Sequence, residues 1–113
     1  MNIDLICKFT SAAKTEANIS DNYRGIYLSL LCWLSRFHND MDFRKMKKND
    51  IIEYLDHLRK DEVTDPLHRW IGTYNLYIVT LTRFLKWFYH PDLPAKQRPK
   101  PQCVDIAMLR RKE

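Results

Sequence analysis

The chain reads as an all-α protein: a compact four-helix bundle followed by a basic, proline-rich C-terminal segment. Three observations carry that expectation. Apolar residues recur every three or four positions through most of residues 3–88, the period of helices with one buried face. Strand-type alternation is nowhere sustained. Only two glycines, Gly25 and Gly72, interrupt 113 residues.

The spacing predicts a first helix from about Ile3 to Lys14, with Asn2 as N-cap and Ile3, Ile6, Cys7 and Phe9 inward. Thr15 to Ile19 is a short polar break. Ser20 then caps a second helix, about Asp21 to His38, with the inward stripe Tyr23, Ile26, Tyr27, Leu30, Leu31, Leu34 and Phe37. A polar stretch, Asn39 to Lys48, ends in Lys45, Lys47 and Lys48. The third helix, about Asp50 to Lys60, is capped by Asn49 and turns Ile51, Ile52, Leu55 and Leu58 inward. Asp50 in its first turn and Arg59 and Lys60 in its last suit the helix dipole.

Asp65-Pro66 opens the fourth helix as N-cap and first helical residue. It ends near Tyr89, because Pro91 disfavours helix in the residue before it. This helix carries two stripes. Trp70, Tyr74, Tyr77, Ile78, Leu81, Phe84, Leu85 and Phe88 form a broad apolar face. Arg69, Gly72, Thr73, Leu76, Thr80, Arg83 and Lys86 run beside it as a flank of mostly small, polar and cationic groups. Pro91, Pro94, Pro99 and Pro101 then impose an extended, semi-rigid strap bearing Lys96, Arg98 and Lys100. Val104 to Glu113 reads as the start of something further rather than a closing element, and its Arg110-Arg111-Lys112-Glu113 ending has no core to join. Residues 1–90 are therefore expected to form the helical domain, and residues 91–113 a linker.

At 45% hydrophobic residues, a single domain of this length builds a core without staples. Cys7, Cys32 and Cys103 are odd in number and widely spaced, with no C-x-x-C pair, and the four histidines lack metal-ligand spacing. Buried, reduced thiols at Cys7 and Cys32 are expected, and no metal or cofactor. The longest apolar run, Ile26 to Leu34, falls far short of the ~18 residues a membrane span needs. The opening Met-Asn-Ile-Asp-Leu lacks the basic and apolar regions of a signal peptide. A cytoplasmic protein is expected.

No catalytic set can be assembled. Asp50, Glu53 and Asp56 fall on the outer side of the third helix, the six tyrosines fall mostly on core stripes, and no phosphate-cradling glycine loop occurs. The positive signal is electrostatic. The net charge is +5, and residues 91–113 hold 6 Lys/Arg against 3 Asp/Glu, compared with 13 against 11 before them. A basic, aromatic-interleaved helix followed by a basic strap suits phosphates, which Lys and Arg neutralise with release of counterions.

The motifs also resemble a family. A Ser20-x-Asn22-Tyr23-x-x-x-Tyr27 second helix, a Lys48-x-Asp50-Ile51 third helix and a Thr73-x-x-x-Tyr77-x-x-x-Leu81-x-x-Phe84 fourth helix resemble the core-binding (SAM-like) domain of tyrosine recombinases and phage-type integrases. The runs Trp70-Ile71-Gly72-Thr73-Tyr74-Asn75 and Phe84-Leu85-Lys86-Trp87 are most similar to archaeal integrases. Arg98-Pro99-x-Pro101-x-Cys103 and Leu109-x-Arg111-Lys112-Glu113 are similar to the linker that leads to the catalytic domain in that family.

The resemblance implies half of a clamp on double-stranded DNA. In the family this domain grips one side of the duplex, while a C-terminal catalytic domain of the same protein grips the other and performs strand cleavage and exchange. The positions carried over as DNA-binding are Asn22 and Arg24 on the second helix and Arg69, Thr73, Asn75, Arg83 and Lys86 on the fourth. Lys96, Arg98 and Lys100 follow in the strap. Tyr23 departs from the family, which usually places Ser or Thr there. The family's catalytic residues have no counterpart here, so binding without cutting is implied, with other recombinase protomers as further partners, nucleoid association when bound to DNA, and no membrane. The main rival is a helical protein–protein interaction module anchored by Trp33, Trp87 and Tyr89. A stand-alone helix-turn-helix regulator ranks behind it, because the Lys60-to-Asp65 connector is long for that motif's turn.

Overall fold

Among the described residues four α-helices follow one another: α1, Asn2–Ala17; α2, Asp21–Phe37; α3, Lys48–His57; and α4, Arg69–Tyr89. The structure, a computed structural model, describes residues 2–17, 20–61, 63–67 and 69–109, and among these it is all-helical, with no strand. Three single 3-10 turns complete it, at Phe43–Lys45, Ala95–Gln97 and Gln102–Val104.

Local chemistry sets most boundaries. The Ser20 hydroxyl accepts from the Tyr23 amide at 3.2 Å and starts α2. Its other end closes as a Schellman motif: Asn39 and Asp40 take positive φ values of 55° and 60°, and their amides return to Arg36 and Ser35 carbonyls at 3.1 and 2.7 Å. Asn and Asp tolerate that left-handed backbone better than other non-glycine residues. Asn2 is the first residue of α1 and is buried, and its amide nitrogen donates to Ser35 Oγ at 3.0 Å and the Met41 carbonyl at 2.7 Å. It ties α1 to the far end of α2.

Asn2 was expected as the N-cap of α1 and instead lies within it, and two further helix starts differ from expectation. α3 begins at Lys48, because the Asp50 carboxylate reaches back to the Lys47 amide at 2.8 Å. It ends at His57, so Arg59 lies past the helix, paired with Asp56 at 3.0 Å and set 5.5 Å from the Trp70 ring. α4 begins at Arg69, after a turn at Pro66 and Leu67. The Asp65 carboxylate still caps it, accepting from the Trp70 amide at 2.9 Å.

The core gathers on the aromatic seam of α4. Phe84 is fully buried, with Phe9 of α1 at 5.2 Å and Phe43 at 4.7 Å between ring centroids. Phe9 also meets Tyr27 and Trp87 at 6.1 and 5.7 Å. Truncating Phe84 to alanine at such a site costs about 3–5 kcal/mol. Phe43 and Met46, both buried, come from the stretch read as polar loop, which plugs the bundle instead.

Several stripe assignments shift. Trp70 packs partly buried against the core as expected, Ile71, left off the stripe, is buried too, and Thr80, placed on the polar flank, is 0% exposed. Ile3, Tyr23 and Cys7 are exposed rather than inward. The larger correction concerns the tail. Val104 belongs to the core cluster, with Cys103, Ile106 and Leu109 packed against it, and the Gln102–Val104 turn lies on α3 and α4. Through residue 109, the segment read as a free linker folds back over the bundle; the Arg110-Arg111-Lys112-Glu113 ending lies outside the described residues. No helix among the described residues is long and apolar enough to cross a membrane.

Candidate nucleic-acid interface

The helical period places Gly72, Leu76, Val79, Arg83 and Lys86 on the side of α4 opposite its buried seam. Arg69 and Thr73 are exposed near the start of that side, Arg83 is exposed toward its end, and Lys86 is half-buried. Arg83 Nη1 donates to the hydroxyl of the buried Tyr27, which fixes the guanidinium against α2. None of the ion pairs seen among the described residues engages Arg69, Arg83 or Lys86.

A groove of about 880 Å³ runs between this end of α4 and the returning tail. Lys48 from α3, Arg83 and Lys86 from α4, and Lys100 from the tail line it, together with Val79 and Thr82. Asp105 is the carboxylate among these lining residues, 3.7 Å from Lys100 Nζ. Lys48 and Lys100 are shared with an adjoining cleft of about 770 Å³, which Lys47 and His90 also line. The result is a cationic band contributed by three separated chain segments. In such a concave setting the fields of like charges add, which concentrates anions.

The structure gathers only part of the expected site. Arg83, Lys86 and Lys100 come together; Lys96 is exposed on the strap outside the groove. Arg69 and Thr73 sit toward the other end of α4, roughly 21 Å and 15 Å from Arg83 at 1.5 Å per residue. The Tyr27–Arg83 contact shows that the first turns of α2 lie by the end of α4, so Asn22 and Arg24 are not neighbours of Arg69. Arg24 bonds Ser11 Oγ on α1 at 3.2 Å.

Two expected contacts are committed elsewhere. Arg98 is 8% exposed, and its guanidinium donates to the His90, Leu93 and Pro91 carbonyls at 2.9, 2.9 and 3.2 Å. A strap that turns back on itself leaves carbonyls without ladder partners, and the five-donor guanidinium collects them. Asn75 spends its amide on the backbone of Leu109. Lys47 and Lys48 were missed as site residues, although the Lys45-to-Lys48 charge run was visible. Nothing local in the sequence says that the tail folds back to meet it.

Other reactive groups among the described residues include the thiols and one cluster of possible ligand atoms. Burial pushes the Cys32 and Cys103 thiols up, away from thiolate character. His38, Asp50 and Glu53 bring possible ligand atoms within 4.8 Å of one another. His38 Nε2 lies 2.7 Å from the Asp50 carbonyl and the Asp50 carboxylate holds the Lys47 amide, contacts that shape the start of α3. Comparison with protein-family models, with curated proteins and with solved structures finds no significant match to this chain.

Proposed function

We propose that this chain binds double-stranded DNA through the cationic groove, as the core-binding half of a tyrosine-type site-specific recombinase whose cleavage chemistry resides in a separate C-terminal catalytic domain. The observation that carries the reading is the convergence of Lys48, Arg83, Lys86 and Lys100 on one groove along α4. Cations held at fixed spacing along a groove suit phosphate contacts, and such contacts position a protein without reading bases. Asn22, Arg69, Thr73 and Lys96 are exposed but lie outside the groove. The SAM-like family assignment rests on the motif resemblance alone.

Titration of a fluorescent duplex by anisotropy tests the binding. With about four phosphates neutralised, log K falls against log[salt] with a slope near −3.6. The Lys86→Gln/Lys100→Gln variant weakens binding and makes the slope shallower by about 1.8. A salt-independent affinity, or a variant that binds as wild type does, would reject the groove as the interface.

One observation favours a second reading, a helical protein-interaction module. Tyr23, Ile26, Leu30, Trp33 and Phe37 follow one another on α2 at alternating three- and four-residue steps, the spacing of a coiled-coil seam. Tyr23 and Trp33 are 52% and 58% exposed. Trp87, in contrast, packs on Phe9 and drops out of the expected anchor. Light scattering without nucleic acid separates the two readings: self-association lost in Trp33→Ala favours the module.

A further inference from the structure

We propose that the cleft between the end of α4 and the tail is a nucleotide site, holding an unstacked nucleobase against Tyr89 and its phosphate among Lys47, Lys48 and Lys100. The cleft, about 770 Å³, falls in the size range of small-ligand pockets. Its floor is apolar: Met46 is buried, and Pro101 and Cys103 are half-buried. Tyr89 is 42% exposed, and its ring is braced by Phe88, set edge-on at 5.1 Å. Three exposed lysines and the half-buried His90 surround that floor, and no carboxylate occurs among the described lining residues.

The combination selects the ligand class. An apolar floor alone would take any greasy group, and a cationic rim alone any anion. A flat aromatic ring carrying a phosphate satisfies both, with the ring stacked on a phenol and the anion held by ammonium groups. Stacking of this kind tolerates any base, because every base presents a π-face. The cleft shares Lys48 and Lys100 with the α4 groove, so the inference leans on the cationic band of the proposed function but does not require duplex binding.

The test uses the full chain and two fluorescent probes, a short single strand carrying one 2-aminopurine and free 2-aminopurine riboside monophosphate. Stacking on Tyr89 quenches the bound probe. Tyr89→Ala abolishes the quenching and lowers probe affinity by about five- to a hundredfold, Tyr89→Phe retains both, and circular dichroism verifies that each variant is folded. A strand held more tightly than the monophosphate identifies nucleic acid as the source of the base, and equal affinity identifies a free nucleotide. Absence of quenching with both probes, or quenching that survives Tyr89→Ala, overturns the site. Quenching without duplex binding would remove the proposed function and leave this site standing; duplex binding without quenching would do the reverse.

Discussion

The side-chain amide of Asn75 holds the backbone of Leu109 at both polar groups: Nδ2 donates to the carbonyl at 2.8 Å, and Oδ1 accepts from the amide at 2.8 Å. The pair imitates one rung of a sheet ladder and fixes where the tail crosses α4. The groove wall formed by Asp105, Ile106, Ala107 and Met108 therefore depends on a residue that does not itself line the groove.

Asn75→Ala removes both bonds at a half-buried position and costs about 1–2 kcal/mol. Urea unfolding followed by tryptophan fluorescence measures that loss. Amide exchange over residues 105–109 accelerates in the same variant, because the tail loses its clasp while Val104 stays anchored. Unchanged exchange there would mean that packing alone holds the tail.

Arg98 makes the stronger demand. Its substitution by alanine strips three backbone carbonyls of a charged donor near the surface of the strap, and charge-assisted bonds are worth more than neutral ones. The expected loss is about 2–4 kcal/mol. Arg98→Lys recovers little of it, since a single ammonium cannot reproduce the planar fork. Equal stability of wild type and Arg98→Lys would contradict this role.

Legibility in the sequence divides along a physical line. Helix existence and the aromatic seam of α4 were readable, because burial of Tyr74, Tyr77, Ile78, Leu81, Phe84 and Leu85 follows directly from a 3.6-residue period. Caps shifted because side chains reach unequal distances: Asp65 caps a helix that starts four residues later, and Asp50 caps from inside its own helix. The tail was misread for a different reason. Pro91, Pro94, Pro99 and Pro101 report local backbone stiffness and say nothing about direction, whereas the return of Val104 to the core is a tertiary event. In the site, positive charge on Arg83, Lys86 and Lys100 was legible, but that Arg98 and Asn75 would be consumed by backbone groups was not.

Thr80 separates the polar flank from the core. Its side chain is 0% exposed, and its Oγ1 has no hydrogen-bond partner. A buried hydroxyl without a partner loses its hydration for no return. Thr80→Val keeps the shape and removes the polar atom, so stability rises by about 0.5–1 kcal/mol. Thermal unfolding reads the gain. A destabilised Thr80→Val would reveal a partner for that hydroxyl.

Two phenols face each other inside the bundle. Tyr54 and Tyr77 are 6% and 3% exposed, their hydroxyl oxygens are 2.5 Å apart, and their rings meet edge-on at 5.0 Å. Burial pushes the Tyr77 hydroxyl far above its ordinary range, with the Tyr54 hydroxyl adding to the shift, and burial raises Tyr54 as well. Unfolded tyrosines ionise near pH 10. Above that pH the unfolded chain releases protons that the native pair retains, so stability is intact below about pH 10 and falls as the pH rises further. The Tyr54→Phe/Tyr77→Phe variant lacks this sensitivity, and its melting temperature declines less between about pH 9 and 11 than that of wild type. Tyr77→Phe alone strands the Tyr54 hydroxyl and costs about 1–2 kcal/mol at neutral pH, more than the double variant. Parallel pH profiles for wild type and the double variant would show that water already reaches the pair.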